Sequence, residues 1–347
     1  MQSIMPKSPL KGLTLSNSYH LIDTHTHFDA PVFDSDRGMQ AAQAYANGVQ
    51  HLVLVGYLYQ HFDRLYSTYN FLNQHDPEST KTFIHEESKA ICYPQAHIAL
   101  GLHPFYIEQH TDAHLQKMAQ MLDQSRPLAI GEIGLDTFTD TMKTPENVAK
   151  QQRFFRAQLD MSVTHRLPVM LHIRKAHAEA LAILKAHDYD AHKLGGIAHS
   201  FSGGEQEAKA FVKLGFKLGV TGQVSNPNAK KLRRAIQAVV SEYGIGCLVV
   251  ETDCPDMTPM QCQVGADTVA NSDTQDSITA PSSAASLSQL QSSDDEWQRP
   301  DNHHRNVPAN LPWVLSALSE LLAVDPAKLA EQLLQNSCEA LQTNWGY

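Results

Sequence analysis

The chain has 347 residues, of which 42% are hydrophobic and 18% charged, enough to bury a sizeable core. Its formal net charge is −10, which argues against broad nucleic-acid coating but leaves room for a site that captures one phosphodiester at a time. No run approaches the ~20 apolar residues a membrane span requires.

The first predicted strand is Leu21-Ile22-Asp23-Thr24, leading into His25-Thr26-His27. Side chains alternate faces along a strand, so both imidazoles project to one side and can reach one metal ion. A helical pattern over 34–47 precedes apolar runs at 49–56 and 96–104, and a second helical pattern covers 112–124. The run 127–132 ends in Glu132, and 168–172 ends in His172 after a helix over 148–165. Helical patterns at 176–187, 205–214 and 229–243 alternate with strands at 196–199, ending in His199, and at 217–223. The last strand-like run, within 247–255, places Asp253 just past Leu248-Val249-Val250. Short apolar runs bounded by Gly or Pro suit strands buried on both faces, as in a parallel sheet.

About eight β/α units in roughly 250 residues fit a (β/α)8 TIM barrel, in which catalytic side chains gather at the C-terminal strand ends. Barrel closure would bring His25, His27, Glu132, His172, His199 and Asp253 together. An open doubly wound sheet would disperse them along a line and lacks a phosphate fingerprint here. A single domain over 1–347 is therefore expected, interrupted by a Ser, Asp and Gln-rich stretch at 263–300 that reads as a surface insertion. Residues 263–301 carry seven acids against Arg299, so much of the negative charge is local to that stretch. Residues 1–20 contain no continuous apolar core, and the five cysteines show no Cys-x-x-Cys spacing. A cytoplasmic protein with reduced thiols is expected. Deleting 263–298 and bridging the gap with a short Gly-Ser link is expected to preserve folding and metal content, because closure cost grows slowly with loop length. Thermal unfolding and metal analysis of the deletion check this.

The ordered set His25-Thr26-His27, Gly101-Leu102-His103-Pro104, Gly131-Glu132-Ile133-Gly134-Leu135-Asp136, Leu171-His172, Ala198-His199-Ser200-Phe201-Ser202-Gly203, Glu251-Thr252-Asp253-Cys254-Pro255 and Arg305-Asn306-Val307-Pro308 resembles the TatD family of metal-dependent hydrolases. Phe28-Asp29 and Asp253-Cys254-Pro255-Asp256-Met257 bring it nearest to the YjjV-like branch. Two departures are the 263–300 insertion and Cys254, where that branch commonly has a small residue. The resemblance implies an amidohydrolase-like barrel with two divalent cations (Zn, Mg, Mn, Fe or Ni). It assigns His25, His27 and Asp253 to the first metal, His172 and His199 to the second, and Glu132 to both as a bridge. Two such cations can share a water, lower its pKa and neutralise charge on phosphorus, with Asp253 orienting that water or accepting its proton.

Glu132 also reads as a helix cap and His172 and His199 as core histidines, but the company of the other motifs favours ligation. His103, Arg174, Lys175 and Arg305 are candidates for contacting substrate, against packed or solvated alternatives. The leading function is a deoxyribonuclease acting on DNA or another phosphodiester, with no membrane role and no obligate protein partner evident. A carboxylic-ester or amide hydrolase is the alternative, since the same centre polarises carbonyls. A non-catalytic metal-binding or interaction protein is a third reading, disfavoured by the presence of all six ligand types, because a binding scaffold needs no open hydrolytic centre.

Overall fold

A computed structural model of the chain describes residues 19–74, 91–263 and 305–345. Apart from Gln263, the expected insertion at 263–300 lies outside the described residues, as does most of 1–20. Among the described residues eight parallel strands form one sheet in sequence order: β1 Leu21–Thr26, β2 Val49–Val55, β3 Gln95–Leu100, β4 Ala129–Asp136, β5 Val169–Arg174, β6 Ile197–Ala198, β7 Lys217–Val220 and β8 Leu248–Val250. Each falls on one of the predicted apolar runs, and the helices between them make this a (β/α)8 barrel. The closing seam lies just beyond β8: the Asp253 N–H donates to the His25 carbonyl and the His27 N–H to the Cys254 carbonyl, both at 2.9 Å. Thus the backbone that shuts the barrel also carries three of the expected site residues.

Strand alternation sorts the core into two layers. Val53, Ala99, Met170, Ile197 and Val249 pack together inside the barrel, whereas Leu52, Ile98, Leu171, Ala198 and Leu248 join the larger cluster under the helices. Side chains two positions along from the interior set, namely His172, His199 and Glu251, therefore keep the inward direction. Glu132 breaks this simple rule. Ile130 and Ile133 both belong to the outer cluster although they are three residues apart, and the β4–β5 register shifts between them. That irregularity re-aims Glu132 inward, as bulges beside active sites often do. It also lets β4 continue to Asp136, four residues beyond the expected end at 132.

The helices at Asp112–Gln124, His177–Ala186, Glu205–Lys213 and Lys230–Tyr243 follow their predicted patterns within one residue at each end. The one expected at 148–165 begins earlier, as Pro145–His165, because the Thr144 hydroxyl accepts from the Asn147 N–H and Pro145 occupies the first turn. The one expected at 34–47 is shortened to Arg37–Ala46 by the turn Pro31–Phe33. Helices Phe62–Asn73, Leu311–Leu322 and Pro326–Ala340 were not anticipated. The last begins at an Asp325 cap and ends under the barrel, where Asn336 donates to the carbonyls of Ile245 and Leu248 at 2.9 and 2.8 Å. Among the described residues no helix is long and apolar enough to cross a membrane.

Candidate metal centre

The C-terminal strand ends surround a cavity of about 290 Å³ whose lining includes His27, Glu132, His172, His199 and Asp253. His25 lies directly beneath it, fully buried. Glu132 is the hub. Its Oε2 lies 3.2 Å from His25 Nε2 and 3.5 Å from His27 Nε2. Its Oε1 lies 2.7 Å from His172 Nδ1 and 3.3 Å from His199 Nε2. Asp253 spans the same division, with Oδ1 3.8 Å from His25 Nε2 and 4.0 Å from His27 Nε2, and Oδ2 3.8 Å from His199 Nε2. The six residues expected to form the site are therefore together, and one carboxylate faces both imidazole sets.

The outward ring nitrogens of His27 and His172 are held by the scaffold, which would leave the inward ones to a cation. His27 Nδ1 donates to the Val55 carbonyl at 3.1 Å. His199 Nδ1 faces Glu251 Oε1 at 3.1 Å, and His172 Nε2 pairs with Asp136 Oδ2 at 2.9 Å. Carboxylate or carbonyl support of this kind fixes the tautomer of a metal-binding histidine and raises its basicity. Room for the Glu251 carboxylate comes from Gly219, where any Cβ would collide with it. Asp136 and Glu251 lie within the sequence motifs, but their role is not legible there, because it is defined by histidines that β5 and β6 bring beside them. Asp136→Asn leaves a single oxygen to serve both His172 and the Phe138 N–H that Asp136 now accepts at 2.8 Å. It is expected to weaken metal binding on the His172 side by roughly 10- to 100-fold, measured by calorimetric titration.

Burial pushes His25 and His199 down to about 3, with neighbouring imidazoles adding to the effect, so their rings are neutral and offer lone pairs. Burial works against the charge on Glu132, but the imidazoles of His103, His199 and His25 outweigh it and hold the carboxyl well below its usual range. Asp253 is pushed well above its usual range by burial and then by the charges of Glu132, Asp256, Glu251 and Asp23. Among the described residues neither ring nitrogen of His25, nor Nδ1 of His199, nor Oε2 of Glu132 has a hydrogen-bond partner, although all are buried. Leaving each such group unsatisfied costs about 1–3 kcal/mol. Burial works against charge on His172, but its hydrogen bonds to Asp136 and Glu132 raise it to about 9, so a cation there would displace a proton. The neutral imidazoles of His25 and His199, an ionised carboxylate and a crowded second carboxylate fit divalent cations, which would satisfy the orphaned atoms and relieve the repulsion. Among the described residues three donor groups have the spacing for an ion: His25, His27 and Glu132; His25, His199 and Asp253; and His103, Glu132 and His172.

Within the last group His103 is engaged through its Nδ1. The Phe105 N–H donates to its Nδ1 at 2.9 Å, so in the neutral ring the proton sits on Nε2, 3.1 Å from Glu132 Oε1. Arg174 lines the cavity with its guanidinium stacked 3.6 Å over Phe138, and it forms no ion pair among the described residues. Lys175 is exposed and does not line the cavity. Arg305 is placed differently from the expectation that it meets substrate. Its guanidinium is spent on both oxygens of Asp36 and the Val32 carbonyl, lies over the Phe33 ring, and is absent from the cavity lining. A cation in a motif is a weak pointer when an acid of a neighbouring loop can claim it.

Comparison with known proteins places this geometry in context. Residues 22–342 match the family described as "TatD related DNase". An uncharacterized metal-dependent hydrolase of Escherichia coli K12, YjjV, is 34% identical over 238 residues, covering 68% of this chain and 80% of the relative. A Salmonella typhimurium protein named 3'-5' ssDNA/RNA exonuclease TatD is 29% identical over 245 residues, covering 69% and 80%. The crystal structure of YjjV superposes with a TM-score of 0.69 at 27% identity, covering 94% of this chain and all of the other.

Proposed function

The chain belongs to the TatD-related DNase family of metal-dependent hydrolases, and from that premise we propose that it is a binuclear phosphodiesterase that cleaves DNA with a metal-activated water. The observation that carries this reading is the division of Glu132, one oxygen toward His25 and His27 and the other toward His172 and His199. His25, His27 and Asp253 would hold one cation, His172 and His199 the other, and Glu132 both. When bound, the pair of cations supplies a water of lowered pKa and neutralises charge on the reacting phosphorus.

The remaining steps belong to side chains. Asp253, at the mouth of the cluster, is placed to orient the water and take its proton. The Nε2–H of His103 can donate to a substrate oxygen at the same centre, and Arg174 can meet a phosphate through its free guanidinium edge. Charge favours an anion: Glu132, Asp136, Asp253 and Asp256 line the cavity with Arg174, so two divalent cations leave it with a formal charge of about +1. That suits a singly charged phosphodiester better than a neutral ester or amide. The exonuclease name of the Salmonella relative supports a polynucleotide substrate.

The test is hydrolysis by metal-reconstituted protein of single-stranded DNA, RNA, simple phosphodiesters, carboxylic esters and amides. Phosphodiesters are expected to be turned over, DNA among them. Faster turnover of carboxylic esters or amides would replace this reading with the alternative one.

A further inference from the structure

The floor of the barrel, at the opposite end from the candidate metal centre, holds a pair of histidines. His51 precedes Val53 by two residues on β2 and His97 precedes Ala99 by two on β3, so both share the inward direction of those interior residues. His51 Nδ1 lies 3.0 Å from His97 Nε2, a hydrogen bond between the two rings. The segment 341–345, which follows the helix Pro326–Ala340, covers them. Trp345 stacks on His51 with ring centroids 4.5 Å apart and planes 13° apart, and its ring lies 4.5 Å from that of His97. Leu341 and Trp345 also pack with the interior layer that includes Val53, Ala99 and Val249. The Gly196 N–H, donated to the Ala340 carbonyl at 2.9 Å, pins the start of the segment, and the Thr343 N–H, donated to the Cys338 carbonyl at 3.0 Å, folds it back.

A bridge between two imidazoles needs one N–H and one bare nitrogen, so the closed pair can take up at most one proton. Burial holds His51 down to about 4 and His97 down to about 3, with His20 adding to the effect on the first and His51 on the second. No carboxylate offsets this. Among the described residues, the titratable groups that act on the pair are its own two rings and His20, just before β1, while Glu339 of the last helix is paired with Lys217 at 2.7 Å. We infer that segment 341–345 is an acid-released strap, which shuts the barrel floor over a neutral His51–His97 pair and lifts as the two imidazoles are protonated. Once it lifts, water reaches both rings, and each titrates near the ordinary histidine value of about 6.5. The open form then binds more protons than the closed one from about pH 6.5 downward, so closure weakens as pH falls through that window. One imidazolium can remain stacked on Trp345, but a second would set two N–H groups against each other across the bridge. Between pH 7.5 and 5.5 opening therefore grows about 10-fold for one extra proton and about 100-fold for two.

The test is hydrogen–deuterium exchange of the full chain at pH 7.5 and 5.5, read by mass spectrometry on a peptide spanning 341–345 and corrected for the intrinsic pH dependence of exchange. Protection of this peptide is expected to fall by about 10-fold or more at the lower pH, while a peptide from the helix Pro145–His165 stays level. The double variant His51→Gln, His97→Gln keeps a donor and an acceptor between the strands and has nothing to protonate, so its strap should be as well protected at pH 5.5 as at 7.5. His51→Gln alone leaves one imidazole and should reduce the wild-type change by about 10-fold, which keeps the comparison available where the double variant does not fold. Equal protection of the wild-type peptide at both pH values, a fall shared by the control helix, or a change in the variants as large as in the wild type would overturn the strap.

Discussion

Glu132→Gln is expected to deprive both halves of the candidate centre of metal at once. The amide keeps the shape of the carboxylate but removes the ionised group that lies 3.2 Å from His25 Nε2 and 2.7 Å from His172 Nδ1. Loss of a buried charge that pairs with cations costs about 4 kcal/mol, which corresponds to a fall in affinity on the order of 10³. Turnover should fall by at least as much. The barrel should persist, because Ile130, Ile133 and Leu135 keep β4 in the outer core. Elemental analysis gives the metal content, and thermal unfolding with and without chelator gives an independent reading. Ligand at 100 times its dissociation constant stabilises a fold by about 2.7 kcal/mol, so chelation should lower the wild-type midpoint and leave the variant unmoved. A variant that still takes up two equivalents with wild-type affinity would remove Glu132 from the bridge.

How much of this could be read from the sequence depends on which rule each residue obeys. His172 and His199 follow strand alternation, each two positions beyond an interior residue, so their direction was legible once the strands were recognised. Glu132 does not follow it. Alternation from Ile130 points it toward the helices, and the register shift that turns it inward exists in the pairing of β4 with β5 rather than in the residues of β4 alone. Its place in the site was legible through the motifs around it. Asp136 and Glu251 escaped assignment for a related reason: an acid that positions a histidine is distinguished from any other buried acid by its partner. The pairing of Arg305 was not legible because the acid it binds, Asp36, is 269 residues away in sequence. Helix Phe62–Asn73 has Phe62, Leu65, Tyr66, Tyr69 and Leu72 at helical spacing, so its apolar face was legible in the sequence.

Asp253→Asn is expected to separate activity from stability. The side chain of Asp253 stands 3.8–4.0 Å from His25, His27 and His199, too far for direct hydrogen bonds and suited to a cation or water between them. The amide can neither balance a cation's charge nor accept a proton from water, and loss of a general base alone accounts for about 10²- to 10⁴-fold. Turnover should therefore drop by at least three orders of magnitude. The metal-free fold should respond in the opposite direction. Burial and the charges of Glu132, Asp256, Glu251 and Asp23 raise the Asp253 carboxyl above its usual range, so in chelator the wild type loses stability as pH rises above the carboxyl's unfolded value, near 3.8. Asparagine has no proton to lose. In chelator the variant should be at least as stable as the wild type at pH 8, with a smaller difference at pH 5. Thermal unfolding at the two pH values and steady-state turnover of the metal-loaded proteins measure both effects. Turnover within tenfold of wild type would reject Asp253 as the proton acceptor. A chelated variant that unfolds earlier than wild type at pH 8 would show that the carboxylate supports the metal-free barrel, contrary to the repulsion its surroundings imply.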